Sequence, residues 1–425
     1  MHLLKTVIWH VPIVLTVLLL YGFLPWEWWY GDDPEILVFA MKHSPAAYLF
    51  SPEIWQNLSP FNLTPWILLS LQFDIPFSRY TPAGYYAHHL LSLAVTAIAL
   101  FGVLSLYVRR KVFASIGVII FLFTPATYSV ATWLTTRHYL EGLGFSLISL
   151  YFFVRGLRAG GTLSVFLSAL CYIPAALSKE VFVPLPVLLM LIPEKTFGDR
   201  VKRALPHFIL LMIYAAYRFW MLGNNPIGGY SSIWPWTIKS ALLDSGEVFR
   251  LYAGSWWIVM PVLITMAGSL LLLNDRKQAF GATVRHLMIF LLLLIPILPV
   301  SGIWGGGESL RYFLLTSTAI TFFYILGLDV IWERGGSVQR TLAALSLVIV
   351  LAGFLHAFRS EKSEFDHRRA VAVAEGRFFV ESGSMLDAVF RITQPHWFFD
   401  GLEKMQAMQL QRAPERRLRL VSGDF

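Results

Sequence analysis

Long apolar segments separated by short basic connectors constrain the fold of this 425-residue chain more than any other feature. About eleven of them reach or approach the roughly 17–25 residues that cross a bilayer as a helix, some short or interrupted by proline. They begin near residues 6, 84, 112, 139, 162, 181, 205, 248, 286, 311 and 341. Because 56% of the residues are hydrophobic and only 14% are charged, against about 25% in an average soluble domain, we predict an all-α polytopic membrane protein.

The basic connectors fall at every second crossing. They are VRRK (108–111), RGLR (155–158), EKTFGDRVKR (194–203), NDRKQ (274–278) and ERGGSVQR (333–340). Since positively charged connectors remain in the cytoplasm, one orientation places all of them and the N-terminus on that side. The net charge of +8 follows this pattern, so it indicates membrane topology and no nucleic-acid partner.

The opposite face receives a long external loop at 25–80. This loop is rich in Trp, Phe and Pro, and we expect it to lie in the membrane interface as short helices anchored by Trp55 and Trp66. With an odd number of crossings the C-terminus is also external. We therefore predict a transmembrane catalytic domain at 1–355 and a small external tail or domain at 356–425.

Two adjacent aspartates follow the first span, in WYGDDPEILVFA (29–40). One interpretation is a helix cap, with Asp32 at the N-cap, Pro34 in the first turn and Glu35 completing a capping box. A second interpretation is chemical, because a capped aspartate is held rigidly and stays ionised at the membrane surface. The two interpretations are compatible.

Three pairs containing a cation lie at the external ends of spans: Arg137 with His138, Lys179 with Glu180, and Arg311 with Glu308. Each pair alone is explained by snorkelling or by a local salt bridge. Three pairs on the same face as two aspartates favour a shared anionic ligand, such as a lipid-linked phosphate or diphosphate. The single cysteine, Cys171, excludes an intrachain disulfide and a cysteine-based metal site.

Four motifs occur in a fixed order: the acidic pair, RHYL (137–140), LSKEVFVP (177–184) and ESLRYFLLTS (308–317). Through them, residues 1 to about 330 resemble the GT-C superfamily of polyprenyl-phosphate-sugar-dependent glycosyltransferases. The pattern is that of the protein O-mannosyltransferase-like branch, which includes the transmembrane TPR-containing mannosyltransferases. The chain departs from it at His138 and Tyr139, in the two residues between Glu308 and Arg311, and in having no TPR array.

The resemblance implies a GT-C-like fold and direct displacement with inversion at the sugar. Asp32 would be the base and Asp33 would orient it or the acceptor. Lys179 and Arg311 would bind the donor phosphate, with Arg137 and His138 secondary. The residues expected in supporting roles are Glu180, Glu308 and Tyr312. The donor would be a polyprenyl-phosphate sugar, and an acidic pair without a third ligand favours a metal-independent reaction.

Two alternatives stay open. An O-antigen ligase or polymerase would use diphosphate-linked donors, and its large external loop would come late in the chain. A lipid-linked glycan transporter or flippase would have repeated halves, whereas this sequence has no internal repeat. Compact loops favour a bacterial inner membrane with a periplasmic site. The partners expected are membrane lipid and a glycan, lipid or protein acceptor.

Overall fold

The computed structural model describes residues 2–22, 29–223, 256–273, 276–294, 296, 307–382, 400–405 and 407–408. Within these residues the chain is all α, as predicted, with no strand. The first helices are α1 (His2–Tyr21), α2 (Asp33–Lys42), α3 (Pro45–Phe50), α4 (Pro52–Leu58), α5 (Pro65–Ser78), α6 (Pro82–Tyr107), α7 (Lys111–Phe123) and α8 (Pro125–Ala131). The later ones are α9 (Arg137–Ala159), α10 (Thr162–Ser178), α11 (Leu185–Met190), α12 (Phe197–Leu222), α13 (Trp256–Leu271), α14 (Arg276–Leu294), α15 (Leu314–Arg334) and α16 (Ser337–Ser382). Short 3₁₀ segments cover Leu134–Thr136, Glu180–Phe182 and Gly307–Phe313.

Several of these helices have the length and composition of membrane spans. Five qualify outright: Pro82–Tyr107, Leu134–Ala159, Phe197–Leu222, Leu310–Arg334 and Ser337–Glu375. The bent pair α7 and α8 makes a sixth if it is one span. Five shorter apolar helices are Ile8–Tyr21, Thr162–Ser178, Glu180–Met190, Trp256–Leu271 and Ala279–Leu294. The described residues therefore fit a membrane protein with five or six long spans, while the count of about eleven and the GT-C-like fold stay predictions.

The bend between α7 and α8 has a local cause. The two helices meet at 64° around Thr124, whose backbone is extended. A residue that precedes proline avoids helical geometry, and here Pro125 follows. The Thr124 hydroxyl accepts a hydrogen bond from the Thr127 N–H at 3.3 Å, so the same residue ends α7 and caps α8.

Helix α9 lies between α6 and α10 and carries several site residues at its N-terminal end. The Thr96 hydroxyl of α6 donates to the Leu140 carbonyl of α9 at 2.9 Å. A Cβ at Gly144 would lie 2.7 Å from the Thr96 hydroxyl oxygen, so glycine permits this close approach. The N-terminal part of α9 is therefore held firmly against α6.

The first loop folds over the bundle with its own apolar core. Helices α2 to α5 bury side chains that include Leu37, Tyr48 and Leu68. Trp55 is fully buried in this core and its indole N–H donates to the Asn62 carbonyl at 2.8 Å. The prediction that Trp55 anchors the loop in the lipid interface is therefore wrong, because its ring is enclosed by protein. Trp66 is partly buried and donates to a carboxylate oxygen of Glu141 at 2.7 Å.

The last long helix crosses the predicted domain boundary. Helix α16 contains 46 residues, or about 69 Å at 1.5 Å per residue, and runs without a break past the boundary between 355 and 356. Farther on, Leu402 and Met405 are buried in the core of the first loop. A Cβ at Gly401 would lie 2.6 Å from the Glu35 backbone nitrogen. The C-terminal region thus packs directly on the first loop.

The predicted orientation is tested by reporter fusions. Fusions after Arg110, Arg203 and Arg340 should report the cytoplasm, because each follows a basic connector. Fusions after Asn57 and Asn224 should report the external side. The measurement is paired alkaline phosphatase and fluorescent-protein activity at each position. A cytoplasmic result at Asn57 would move the aspartates to the wrong face for an external reaction.

Candidate functional site

A cavity of about 680 Å³ opens between the start of α2, the first loop, the segment before α9, the 3₁₀ turn before α15 and the far part of α16. The structure brings five of the nine predicted site residues into its wall: Asp32, His138, Lys179, Arg311 and Tyr312. They come from four separate parts of the sequence. Asp33, Arg137 and Glu180 do not line it, and the side chain of Glu308 lies outside the described residues.

Asp32 occupies the N-cap position of α2, but its side chain makes no capping hydrogen bond. Instead one carboxylate oxygen accepts a hydrogen bond from the Thr135 hydroxyl at 2.6 Å. The predicted capping box is therefore wrong, because the side chain is drawn across to the segment before α9. Asp32 remains half-exposed on the cavity wall, where it can meet a ligand.

Asp33 lies behind this wall and is 1% exposed. Its carboxyl oxygens accept hydrogen bonds from the backbone N–H groups of Thr135 at 3.0 Å and Tyr30 at 3.1 Å. Burial, followed by the charge of Asp32, raises the pKa of the Asp33 carboxyl from 3.8 to about 8, although these N–H groups and Arg369 act in the opposite direction. Asp33 therefore holds the loop in place, and Asp32 presents the carboxylate to the cavity.

Thr135 uses all three of its polar groups on candidate site residues. Its hydroxyl donates to Asp32, its N–H donates to Asp33, and its carbonyl accepts from Nδ1 of His138 at 2.8 Å. The 3₁₀ turn Leu134–Thr136 presents these groups on one side. Thr135 therefore aligns the two aspartates with the start of α9.

Replacement of Thr135 by valine keeps the shape of the side chain and both backbone contacts but removes the hydrogen bond to Asp32. A hydrogen bond to a charged group contributes about 1.5–3 kcal/mol, so we expect turnover to fall roughly tenfold or more. Thr135→Ser should retain most activity. Steady-state turnover of the purified variants measures this, and equal rates for the valine and serine variants would exclude the orienting role.

Arg311 and Gly31, the residue before Asp32, both pack against the Trp133 indole ring. The Arg311 guanidinium lies 4.4 Å from the Trp133 ring centroid and 5.3 Å from that of Tyr312. Gly31 has φ +58°, and a Cβ there would lie 3.0–3.1 Å from the Trp133 ring. Trp133 therefore contacts both the loop that carries Asp32 and the Arg311 guanidinium. No carboxylate in the described part of the chain forms an ion pair with Arg311.

Lys179 lines the cavity and forms an ion pair with its neighbour Glu180. The ammonium lies 3.7 Å from one Glu180 oxygen and 5.7 Å from the Tyr139 ring centroid. The other Glu180 oxygen accepts hydrogen bonds from Arg218 at 2.7 Å and from the Leu63 N–H at 2.8 Å. Glu180 therefore ties the first loop to α12 while it also pairs with Lys179.

Arg137 is not brought to the cavity. Its side chain is 0% exposed, and it pairs with Asp74 of α5 at 2.5 Å and donates to the Ser70 hydroxyl at 3.2 Å and the Tyr85 carbonyl. These contacts occupy the guanidinium on the side of α9 away from the cavity. The structure gives Arg137 the role of fastening α5 to α6 and α9, in place of the predicted contact with phosphate.

The two remaining predicted residues, Glu308 and Tyr312, belong to the 3₁₀ turn before α15. The side chain of Glu308 lies outside the described residues, although its backbone belongs to the 3₁₀ turn Gly307–Phe313. Tyr312 is buried with its ring edge-on to Tyr139 at 6.0 Å. Its place beside Arg311 fits the predicted supporting role.

Sequence reasoning missed several residues of the cavity wall, namely Trp133, Thr135, Tyr139, His367 and Arg368. The first three lie within TWLTTRHYL (132–140), where the sequence marks only Arg137 and His138 as candidate ligand contacts. His367 and Arg368 belong to α16 beyond its apolar part, which the sequence alone indicates only as a solvated tail. A charged helical continuation of the last span is the signal that would have found them.

Metal ligands are a separate question. Among the described side chains, no group of three or more His, Cys, Asp or Glu residues has the geometry to hold a metal ion. Asp33 has both oxygens committed to backbone N–H groups, so the aspartates do not form an open pair. Independence from metal stays a prediction.

Comparison with known proteins adds no family. The chain matches no protein-family model, and it matches no curated protein. The functional argument therefore depends on the cavity and its chemistry.

Proposed function

We propose that this protein is a membrane glycosyltransferase that moves a sugar from a polyprenyl-phosphate donor to an acceptor hydroxyl, with inversion, on the external face. The observation that carries the proposal is one cavity lined by a carboxylate, Asp32, and two cations, Lys179 and Arg311. The motif resemblance to the GT-C superfamily supports the same reaction.

The carboxylate supplies the base for the reaction. In the proposed step the acceptor hydroxyl gives its proton to Asp32 while its oxygen forms a bond to the anomeric carbon. General-base assistance requires a fixed, accessible carboxylate within hydrogen-bond reach of the hydroxyl. Thr135 fixes one oxygen of Asp32 at 2.6 Å, and the cavity gives the other oxygen access to substrate.

The cations receive the leaving group. As the bond between the anomeric carbon and the phosphate oxygen breaks, its electron pair stays on the polyprenyl phosphate, which gains negative charge. Positioned cations stabilise charge that develops in this way. Arg311 offers a planar guanidinium suited to two phosphate oxygens, and Trp133 and Tyr312 hold it by stacking. Lys179, which directly follows α10, adds a second positive charge.

An apolar groove of about 170 Å³ supports a lipid-linked donor. It begins about one helical turn from the cavity on the same two elements, at Leu143 after Tyr139 and at Leu315 after Tyr312. Most of its other lining side chains are apolar, although Arg285 and His286 also line it, and it reaches Tyr107 at the end of α6. A phosphate at Arg311 would therefore have an apolar path for its isoprenoid tail.

The reaction so written needs no cofactor. The proton, the sugar and the leaving electron pair are each accounted for by Asp32, the acceptor and the phosphate. The proposed acceptor is a hydroxyl of a glycan, a lipid or a protein. A bacterial inner membrane remains the proposed location.

Mass spectrometry of lipid-linked sugars tests the proposal. Cells that lack the protein should accumulate one polyprenyl-phosphate sugar, and expression of the wild-type chain should remove it. The Asp32→Asn variant should not remove the accumulated sugar. The control Asp199→Asn, at the exposed start of α12, should remove it as the wild type does. Accumulation of diphosphate-linked glycans alone would favour the ligase or polymerase alternative.

A further inference from the structure

The imidazole of His138 has a defined orientation at the cavity. Its Nδ1 lies 2.8 Å from the Thr135 carbonyl oxygen, and a carbonyl only accepts hydrogen bonds, so Nδ1 carries the proton. His138 is the one half-exposed residue between Ala131 and Gly144 and lines the cavity. Its Nε2 has no hydrogen-bond partner in the described part of the chain.

The charges beside His138 define its state further. The cationic side chains of Lys179 and Arg311 line the same cavity as His138. A third positive charge next to two cations is unfavourable. The imidazole is therefore neutral, and its second nitrogen, Nε2, presents a lone pair on the ring edge opposite the Thr135 contact.

We propose that Nε2 of His138 accepts a hydrogen bond from a substrate hydroxyl and so positions the sugar or the acceptor beside Asp32. The role rests on the proposed glycosyl transfer and replaces the phosphate contact predicted from the sequence. A phosphodiester oxygen is itself an acceptor and is repelled by a nitrogen lone pair. A sugar hydroxyl or an acceptor hydroxyl is a donor and fits it. His138 is then a positioning residue for the polyol part of the substrates, while Lys179 and Arg311 bind the phosphate.

Two substitutions separate this role from a structural one. His138→Asn places its amide nitrogen near the position of Nδ1, so it keeps the bond to Thr135 and loses the acceptor in the cavity. His138→Gln reaches the position of Nε2 with its amide oxygen, so it keeps the acceptor. A purely structural histidine would be replaced better by asparagine, whereas an acceptor in the cavity would be replaced better by glutamine.

Binding by the full chain in detergent provides the first readout. The probes are farnesyl phosphate and farnesyl phosphate linked to mannose, glucose or galactose. If the hydroxyl belongs to the transferred sugar, His138→Asn should weaken the best sugar-bearing probe roughly three- to tenfold, the effect of one hydrogen bond. The affinity of His138→Asn for farnesyl phosphate should equal that of the wild type. His138→Gln should recover most of the affinity for the sugar-bearing probe. Lys179→Gln, the control for phosphate contact, should weaken both kinds of probe.

Transfer in native membranes provides the second readout and identifies the source of the hydroxyl. If the hydroxyl belongs to the acceptor, His138→Asn should leave probe binding unchanged and lower transfer at saturating donor, again with rescue by His138→Gln. Equal weakening of farnesyl phosphate and its glycosides by His138→Asn would overturn the proposal in favour of phosphate contact. The proposal would also be overturned if His138→Gln performed no better than His138→Asn in the readout that asparagine impairs, or if both variants matched the wild type in binding and in transfer. Failure of the wild-type chain to bind any probe would instead remove the proposed function, and this role with it.

Discussion

Asp32→Asn is expected to reduce sugar transfer roughly 10²- to 10⁴-fold, the usual effect of removing a general base. Asparagine has nearly the same size and still accepts a hydrogen bond from Thr135, but it does not take a proton from the acceptor. The fold should survive, because Asp32 makes no capping bond and the buried contacts of the loop belong to Asp33. Transfer from a polyprenyl-phosphate sugar, measured beside thermal stability in detergent, checks both parts.

The neighbouring carboxyl is the internal control for this experiment. Asp33→Asn must turn an amide NH₂ toward one of two backbone N–H groups, so we expect lower thermal stability and a smaller loss of turnover. An active Asp32→Asn with an inactive but stable Asp33→Asn would reverse the two roles. Full activity of both variants would leave the aspartates a purely structural function.

Arg311→Lys is expected to lower donor use roughly 100-fold while leaving acceptor KM nearly unchanged. Lysine keeps the charge but loses one of two charge-assisted contacts with phosphate, worth about 1.5–3 kcal/mol, and much of the stacking on Trp133, worth about 0.5–2 kcal/mol. Because the lost contacts are with the donor phosphate, the variant should have a lower kcat/KM for the donor. Titrating the donor and the acceptor separately measures this change.

Arg137→Lys is the matched control, since it makes the same chemical change in an arginine outside the cavity. It should lower thermal stability, because lysine does not reproduce the contacts to Asp74, Ser70 and the Tyr85 carbonyl together. Its donor KM should stay near the wild-type value. The assignment of Arg311 to the donor phosphate fails if Arg311→Lys is as active as the wild type. It also fails if Arg137→Lys raises the donor KM as strongly as Arg311→Lys does. Activity with diphosphate-linked donors alone would favour a ligase.

The sequence was sufficient for the class of fold and for part of the site. Apolar segments of spanning length and basic connectors are one-dimensional properties, so they identify an all-α membrane protein without knowledge of packing. The same holds for three charged residues at helix ends: Asp32, Lys179 and Arg311 were predicted from their places next to spans, and they line one cavity. That agreement concerns position, and their roles in catalysis stay proposals.

Tertiary packing decided what each polar side chain contacts. Arg137 and Arg311 look alike in sequence, since each lies at the N-terminal end of a predicted span. In the structure Arg137 is enclosed by Asp74 and Tyr85, whereas Arg311 lies over the Trp133 ring on the cavity wall. Asp32 has the sequence context of a helix cap, but Thr135, a hundred residues later, offers a competing donor. The sequence around Asp32 predicts a capping bond within α2 but does not reveal a competing donor from a distant segment, because only folding brings the Thr135 hydroxyl within reach. For the same reason Trp55 is a core residue, and α16 supplies His367 and Arg368 to the cavity.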